Sequence, residues 1–302
     1  MNMFTRRALL LASAGGVLSA GALGGAAFAG APRPTAVVRT SNGPVQGVIE
    51  NEIHTFKGVR YGAAPVGALR FKPPQKPAAW TGTDSALIYG APAIQAGGGL
   101  GSNPTSNFAF LIGELLGSTD GKIDNEDCLF LNAWTKGTGD GAKRPVMVWL
   151  HGGGFSQGSG GAPLYDGGNL ARRGDVVVIT VNHRLNVFGY LDLSEIGGPE
   201  YADSGNAGML DLVLALEWVR DNAEAFGGDP DNVTIFGESG GGFKVSTLCA
   251  MPAARGLFHR AIVQSGPGLE AVTGEEARAT TAAVLRELNI GSANFAALQT
   301  LP

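Results

Sequence analysis

The sequence predicts an α/β protein with a mostly parallel central sheet flanked by helices. Two observations carry that expectation. Short apolar runs with the look of strands buried on both faces recur after residue 128, at 129–133, 146–150, 176–181 and 233–236. A helical stretch over 209–226 separates the last two, and strands alternating with helices imply parallel pairing. With 302 residues, 44% apolar and 16% charged, the chain has the means to bury a large core.

Taken in order, residues 1–29 read as a twin-arginine export signal. Arg6 and Arg7 precede an uncharged run that ends in Ala27-Phe28-Ala29, a small-x-small cleavage pattern. The expectation is an exported bacterial protein, periplasmic or extracellular, starting at Gly30, with no stable membrane insertion after cleavage. Residues 30–302 then form the N-terminal portion of one catalytic domain. Alternation over 37–48, broken by Asn42-Gly43, predicts an antiparallel hairpin, and 53–59 another strand. Glycine-rich stretches at 97–104 and 152–168 read as surface loops.

Further on, the apolar residues of the 209–226 helix cover most of its circumference, so it should be largely buried. Gly227-Gly228-Asp229-Pro230 stops it. A helix over 243–250 and a strand over 261–264 follow. Cys128 and Cys249, both in apolar surroundings, read as buried free thiols.

Some function classes fall away at once. A formal charge of −4 with no basic run beyond the N-terminus argues against nucleic acid. Paired His or Cys spacing for a metal is absent. So is a phosphate loop or dinucleotide fingerprint in strand-to-helix context, and no cofactor is expected.

Gly237-Glu238-Ser239-Gly240-Gly241 matches the G-x-S-x-G pattern of a nucleophile elbow. A serine on a sharp strand-to-helix turn is held exposed, and flanking glycines let neighbouring backbone pass close by. The bare pattern is weak, because Gly154-Phe155-Ser156-Gln157-Gly158 matches it too. Context separates them. Ser239 follows the strand-like Val233-Thr234-Ile235-Phe236 and precedes a helix, whereas Ser156 lies between loop residues. Lys244, five residues on, is turned about 140° from the serine on a helix, which argues against a Ser–Lys pair.

His151-Gly152-Gly153-Gly154-Phe155 follows the strand 146–150. Attack on an ester carbonyl places negative charge on its oxygen, and backbone N–H groups aimed there stabilise it. The expected donors of this oxyanion hole are Gly153, Gly154 and Gly240.

Together these residues resemble the type B carboxylesterases, the family of cholinesterases and bacterial para-nitrobenzyl esterases. The resemblance runs from about residue 48 to 266. It rests on Phe56-Lys57-Gly58-Val59-Arg60-Tyr61, Leu69-Arg70-Phe71, Glu126-Asp127-Cys128-Leu129-Phe130-Leu131-Asn132, the 151–155 run, Asn182-His183-Arg184-Leu185-Asn186-Val187-Phe188-Gly189, Gly205-Asn206-Ala207-Gly208 and Gln264-Ser265-Gly266. It implies an α/β-hydrolase fold lacking its C-terminal part, a small-molecule carboxylic ester as substrate, and an acyl-enzyme on Ser239. It also implies a structural ion pair between Arg70 and Glu126. The chain departs from the family pattern at Gly240, where alanine is usual, and at His183 and Asn186, where tyrosine and glycine are common. The cysteine that often pairs with Cys128 is absent.

Serine needs a base, commonly a histidine held by a carboxylate, and in this fold both follow the serine. Only His259 does so here, just before a strand, where a base is not expected. His54 and His183 read as structural, and His151 as part of the oxyanion loop. The expectation is an incomplete triad within this chain. Two readings stand beside the esterase: a non-catalytic binding or adhesion protein on the same scaffold, and a hydrolase of thioesters, lactones or amides.

Overall fold

The computed structural model of the protein describes residues 31–95 and 123–301. The expected export signal and the 97–104 loop lie outside the described residues. The strands are β1 (Arg33–Pro34), β2 (Val38–Arg39), β3 (Pro44–Gln46), β4 (Val48–Glu50), β5 (Ile53–Arg60), β6 (Asp84–Ser85), β7 (Phe130–Thr135), β8 (Arg144–Leu150), β9 (Val177–Val181), β10 (Gly228–Glu238) and β11 (Arg260–Gln264). The helices are α1 (Gly168–Gly174), α2 (Asn186–Tyr190), α3 (Ser194–Gly197), α4 (Ala207–Asn222), α5 (Gly240–Ala250) and α6 (Gly274–Glu287).

The main sheet runs β1-β4-β5-β7-β9-β8-β10-β11. From β9 to β11 every neighbouring pair is parallel. The early strands form an antiparallel flank, with β7 antiparallel to both β5 and β9. The segment 136–143 between β7 and β8 is shorter than the roughly dozen residues that a parallel crossover needs. The expected hairpin at Asn42-Gly43 is present: Val38 faces Val45, and the Thr40 N–H donates to the Gly43 carbonyl at 3.0 Å.

Side chains alternate across a strand, so Val146, Val148 and Leu150 of β8 share a face with Val233 and Ile235 of β10. All five are buried in one core with residues of α4 and α5, including Leu212, Leu216, Val245 and Leu248. The expectation of burial on both faces holds for β9. It fails for β8 and β10, where Trp149 and Phe236 are only half-buried. With the 163–167 segment and α1, they line an open apolar cleft of about 570 Å³ on the second face. Every residue of β11 is exposed.

Helix α4 is buried nearly all round, as its sequence predicts. That burial brings Asp211 inside, where Arg184 meets it at 2.6 Å. Arg184 also donates to the carbonyls of Lys72 and Ala207. Arg70 and Glu126 pair as the resemblance implied, and Arg70 donates further to the Leu298 and Leu301 carbonyls.

Two expectations need correction. The 152–168 segment is not wholly a surface loop, because Ser159, Gly160, Gly161 and Ala162 are buried. Their polar groups find internal partners. The Asn182 side-chain oxygen accepts from Ser159 Oγ and from the Gly160 N–H at 2.7 Å, and Thr180 Oγ1 donates to the Gly160 carbonyl. Cys249 is exposed, while Cys128 is a buried free thiol. The buried side of α5 runs through Gly241, Lys244, Val245 and Leu248, and Cys249 falls outside it.

Candidate active site

Strand β10 ends at Glu238 and α5 begins at Gly240, so a single residue, Ser239, makes the turn. It does so at φ 56° and ψ −123°. A serine at positive φ is uncommon and costs of order 1–3 kcal/mol, so the surroundings must enforce it. They do so by close approach. A Cβ on Gly241 would lie 2.1 Å from the Leu150 carbonyl oxygen, and one on Gly237 2.7 Å from the same atom. The end of β8 therefore presses on both sides of the turn, where only glycine fits. The Ser239 N–H donates to the Gln264 carbonyl at 2.9 Å and its carbonyl accepts from the Phe243 N–H. The side chain is exposed, and its hydroxyl has no hydrogen-bond partner among the described residues. Ser156 has no such setting. It lies in a loop turn, without positive φ, its Oγ 3.5 Å from the Gly153 carbonyl.

The 151–155 run folds beside this turn. Gly153 and Gly154 adopt φ of +88° and +63°, a region that side chains resist. A Cβ on Gly152 would sit 3.6 Å from the Ser239 Cβ. One on Gly240 would sit 2.4 to 2.5 Å from the oxygen, Cα and nitrogen of Gly154. Ser239, Gly153, Gly154 and Gly240 thus come together at the C-terminal ends of β8 and β10. Among the described residues, no acceptor takes the N–H of Gly153, Gly154 or Gly240. Three donors near an exposed serine could bind an oxyanion.

Behind the loop lies a buried basic cluster. His151 stacks on His183 with ring centroids 4.8 Å apart. His151 Nδ1 donates to the Gly152 carbonyl at 2.9 Å, and His183 Nδ1 to the Arg184 carbonyl at 2.8 Å. Burial pulls the His151 pKa down to about 3, and burial with nearby Lys244 pulls His183 well below its ordinary value. Both rings are neutral near pH 7. Sequence reasoning missed Lys244. It does not meet Ser239, as expected, yet its fully buried Nζ reaches under the loop to the carbonyls of Gly154 (2.8 Å) and His151 (3.0 Å). It forms no ion pair among the described residues, and burial lowers its pKa to about 7. The available signal was spacing. Residues 241, 244, 245 and 248 trace the buried stripe of a helix, and a lysine stands in it.

The remaining histidines lie elsewhere. His259 accepts from the Val233 N–H at 3.1 Å. Val233 is six extended residues before Ser239, about 20 Å away at the usual strand rise. His54 sits on β5, paired with Thr135. Among the described residues, no cluster of three or more His, Cys, Asp or Glu could hold a metal ion, and no helix is long and apolar enough to cross a membrane.

The model of the carboxylesterase family matches residues 34–299. The chain belongs to the carboxylesterase family. Among carboxylesterase relatives, it is 43% identical over 265 residues to the para-nitrobenzyl esterase of Bacillus subtilis (strain 168), covering 88% of this chain and 50% of that protein. It is 41% identical to the phenmedipham hydrolase of Pseudarthrobacter oxydans over 83% of this chain and 47% of that one. The crystal structure of the Geobacillus stearothermophilus carboxylesterase EST55 superposes with a TM-score of 0.77 at 43% identity, over 88% of this chain and 51% of that one. The carboxylesterase fold seen here is therefore the α/β-hydrolase fold, and the chain spans about half the length of the curated relatives it matches.

Proposed function

We propose that this chain carries the nucleophile and the oxyanion hole of a carboxylic ester hydrolase. The observation that supports this most is the strained Ser239 turn, with an exposed hydroxyl beside three N–H groups that have no acceptor among the described residues. In this reading Ser239 Oγ attacks the ester carbonyl. The oxygen that becomes negative takes the N–H groups of Gly153, Gly154 and Gly240, each of which contributes about 3 kcal/mol to such a state. Collapse expels the alcohol and leaves an acyl group on Ser239, which water then removes. Gly240 also opens α5, so the helix dipole favours the developing charge.

The general base is a separate matter. None of the four histidines is positioned to take the Ser239 proton: His151 and His183 are buried and stacked, His259 is at the far end of β10, and His54 lies on β5. In this reading the histidine and its carboxylate come from sequence beyond these 302 residues.

The test is hydrolysis of para-nitrophenyl esters by the complete gene product that contains this chain. Ser239→Ala is expected to lower kcat by at least about 10⁴-fold with the fold intact, given the magnitude of nucleophile loss in such sites. Turnover that persists in the variant would refute the assignment.

A further inference from the structure

Lys244 is an expensive residue to keep. A lysine amine buried without a carboxylate partner loses its hydration and gains no ion pair in either protonation state, and such groups are rarely tolerated without a role. Its two hydrogen bonds, to the His151 and Gly154 carbonyls, bracket the segment that carries the glycine N–H groups.

The neighbouring carbonyls are also held. The Gly152 carbonyl accepts from His151 Nδ1 at 2.9 Å. The Gly153 carbonyl accepts from the N–H of Gln157 at 3.2 Å and of Ser156 at 3.4 Å. The Phe155 carbonyl accepts from the Asn186 N–H at 2.9 Å. Five consecutive carbonyls, 151 to 155, are thus each pinned by a donor, and Lys244 supplies the donor for two of them. A peptide is planar and trans, so a carbonyl fixed in one direction fixes the N–H of the next residue in the opposite one. The Gly152 and Gly153 carbonyls thus orient the Gly153 and Gly154 N–H groups, and the two carbonyls that Lys244 holds orient the units on either side. With glycine at 152, 153 and 154, no side chain restrains these dihedrals, and the hydrogen bonds alone must do it.

We propose that Lys244 is a positioning residue for ester cleavage: from the buried side of α5 it holds the His151 and Gly154 carbonyls, which fixes the peptide units on either side of the two that carry the Gly153 and Gly154 N–H groups, and so keeps those N–H groups aimed at the substrate oxygen. The inference rests on the function proposed above for Ser239. The contact is one-sided. Lys244 touches neither the serine nor the space above it, and it acts through the loop. The Phe155 ring lies against the same amine, with Lys244 Nζ 5.3 Å from its centroid.

The experiment compares Lys244→Met, which keeps the bulk of the stem, and Lys244→Gln, which returns N–H donors, with wild type in the complete gene product. Hydrogen exchange of the 151–158 segment and steady-state para-nitrophenyl ester hydrolysis are read together. Lys244→Met is expected to speed exchange of 151–158 at least about 10-fold. It should lower kcat on the order of 10²-fold with KM changed less than about threefold, the pattern of an interaction made in the transition state. Lys244→Gln should recover part of both. Unchanged exchange in Lys244→Met overturns the proposal whether or not the protein turns over esters. A kcat equal to wild type, or a loss confined to KM, overturns it as well. If Ser239→Ala keeps full activity, the failure belongs to the Ser239 reading and not to the loop tie, which the exchange data judge by themselves. If Lys244→Met does not fold, Lys244→Gln carries the same two readouts.

Discussion

The strand-to-helix turn at Ser239 was legible in the sequence because two signals agreed: a G-x-S-x-G match, and a β-strand directly before it. The same pattern around Ser156 lacked the strand, and its serine lacks the positive φ. Lys244 was not legible from the angle argument. That argument placed its Cα away from Ser239, but a long side chain on the buried face of α5 reaches the backbone of the neighbouring loop. Cys249 misled for a related reason, since apolar neighbours in sequence do not say which side of a helix is covered. Gly240 shows what a single missing methyl allows. The family resemblance leads one to expect alanine there, yet a Cβ would stand 2.4 Å from the Gly154 oxygen and 2.5 Å from its nitrogen. The loop therefore sits closer to the helix start than alanine permits. Gly240→Ala is expected to push Gly154 outward and lower kcat about tenfold, with little effect on thermal stability. A variant with the wild-type kcat for a para-nitrophenyl ester would mean that the loop yields at no catalytic cost.

Among the elements, those defined by local pattern were read well. The hairpin at Asn42-Gly43, strands β5, β8, β9 and β10, and the long helix α4 all fall near their expected positions. Helix α6 was missed although Thr273 and Glu276 form a reciprocal capping box, a signature visible in the sequence. The Asp211 pairing was beyond reach, because Arg184 lies 27 residues away and only the packing of α4 against the sheet brings them together. Arg184 and Asp211 are both almost fully buried, so removing one leaves the other's charge uncompensated. Arg184→Met is expected to cost about 3–5 kcal/mol in urea unfolding. The double variant Arg184→Met/Asp211→Leu should recover much of that loss. A double variant as unstable as the single one would contradict a charge-compensation account of this site.

At the scale of the molecule, the fold class was readable and the strand order was not. Apolar runs announce strands, but that β7 lies beside β9 and not β8 depends on contacts far apart in sequence. Half-burial of β8 and β10 likewise depends on what packs on the second face, which no local pattern encodes. What the architecture does for chemistry is clear in outline. Parallel strands β8 and β10 end side by side, so a glycine loop after one and a helix start after the other meet at Ser239. Ligand sites at the carboxyl ends of such strands follow from this arrangement. The proposed role of Ser239 as nucleophile is open to covalent labelling. The most direct measurement is reaction of the complete gene product with a fluorophosphonate, followed by peptide mass mapping. A single phosphonylated peptide, modified at Ser239 and lost in Ser239→Ala, is the expected result. Modification at Ser156 or another residue, or a folded protein that takes up no label, would contradict it.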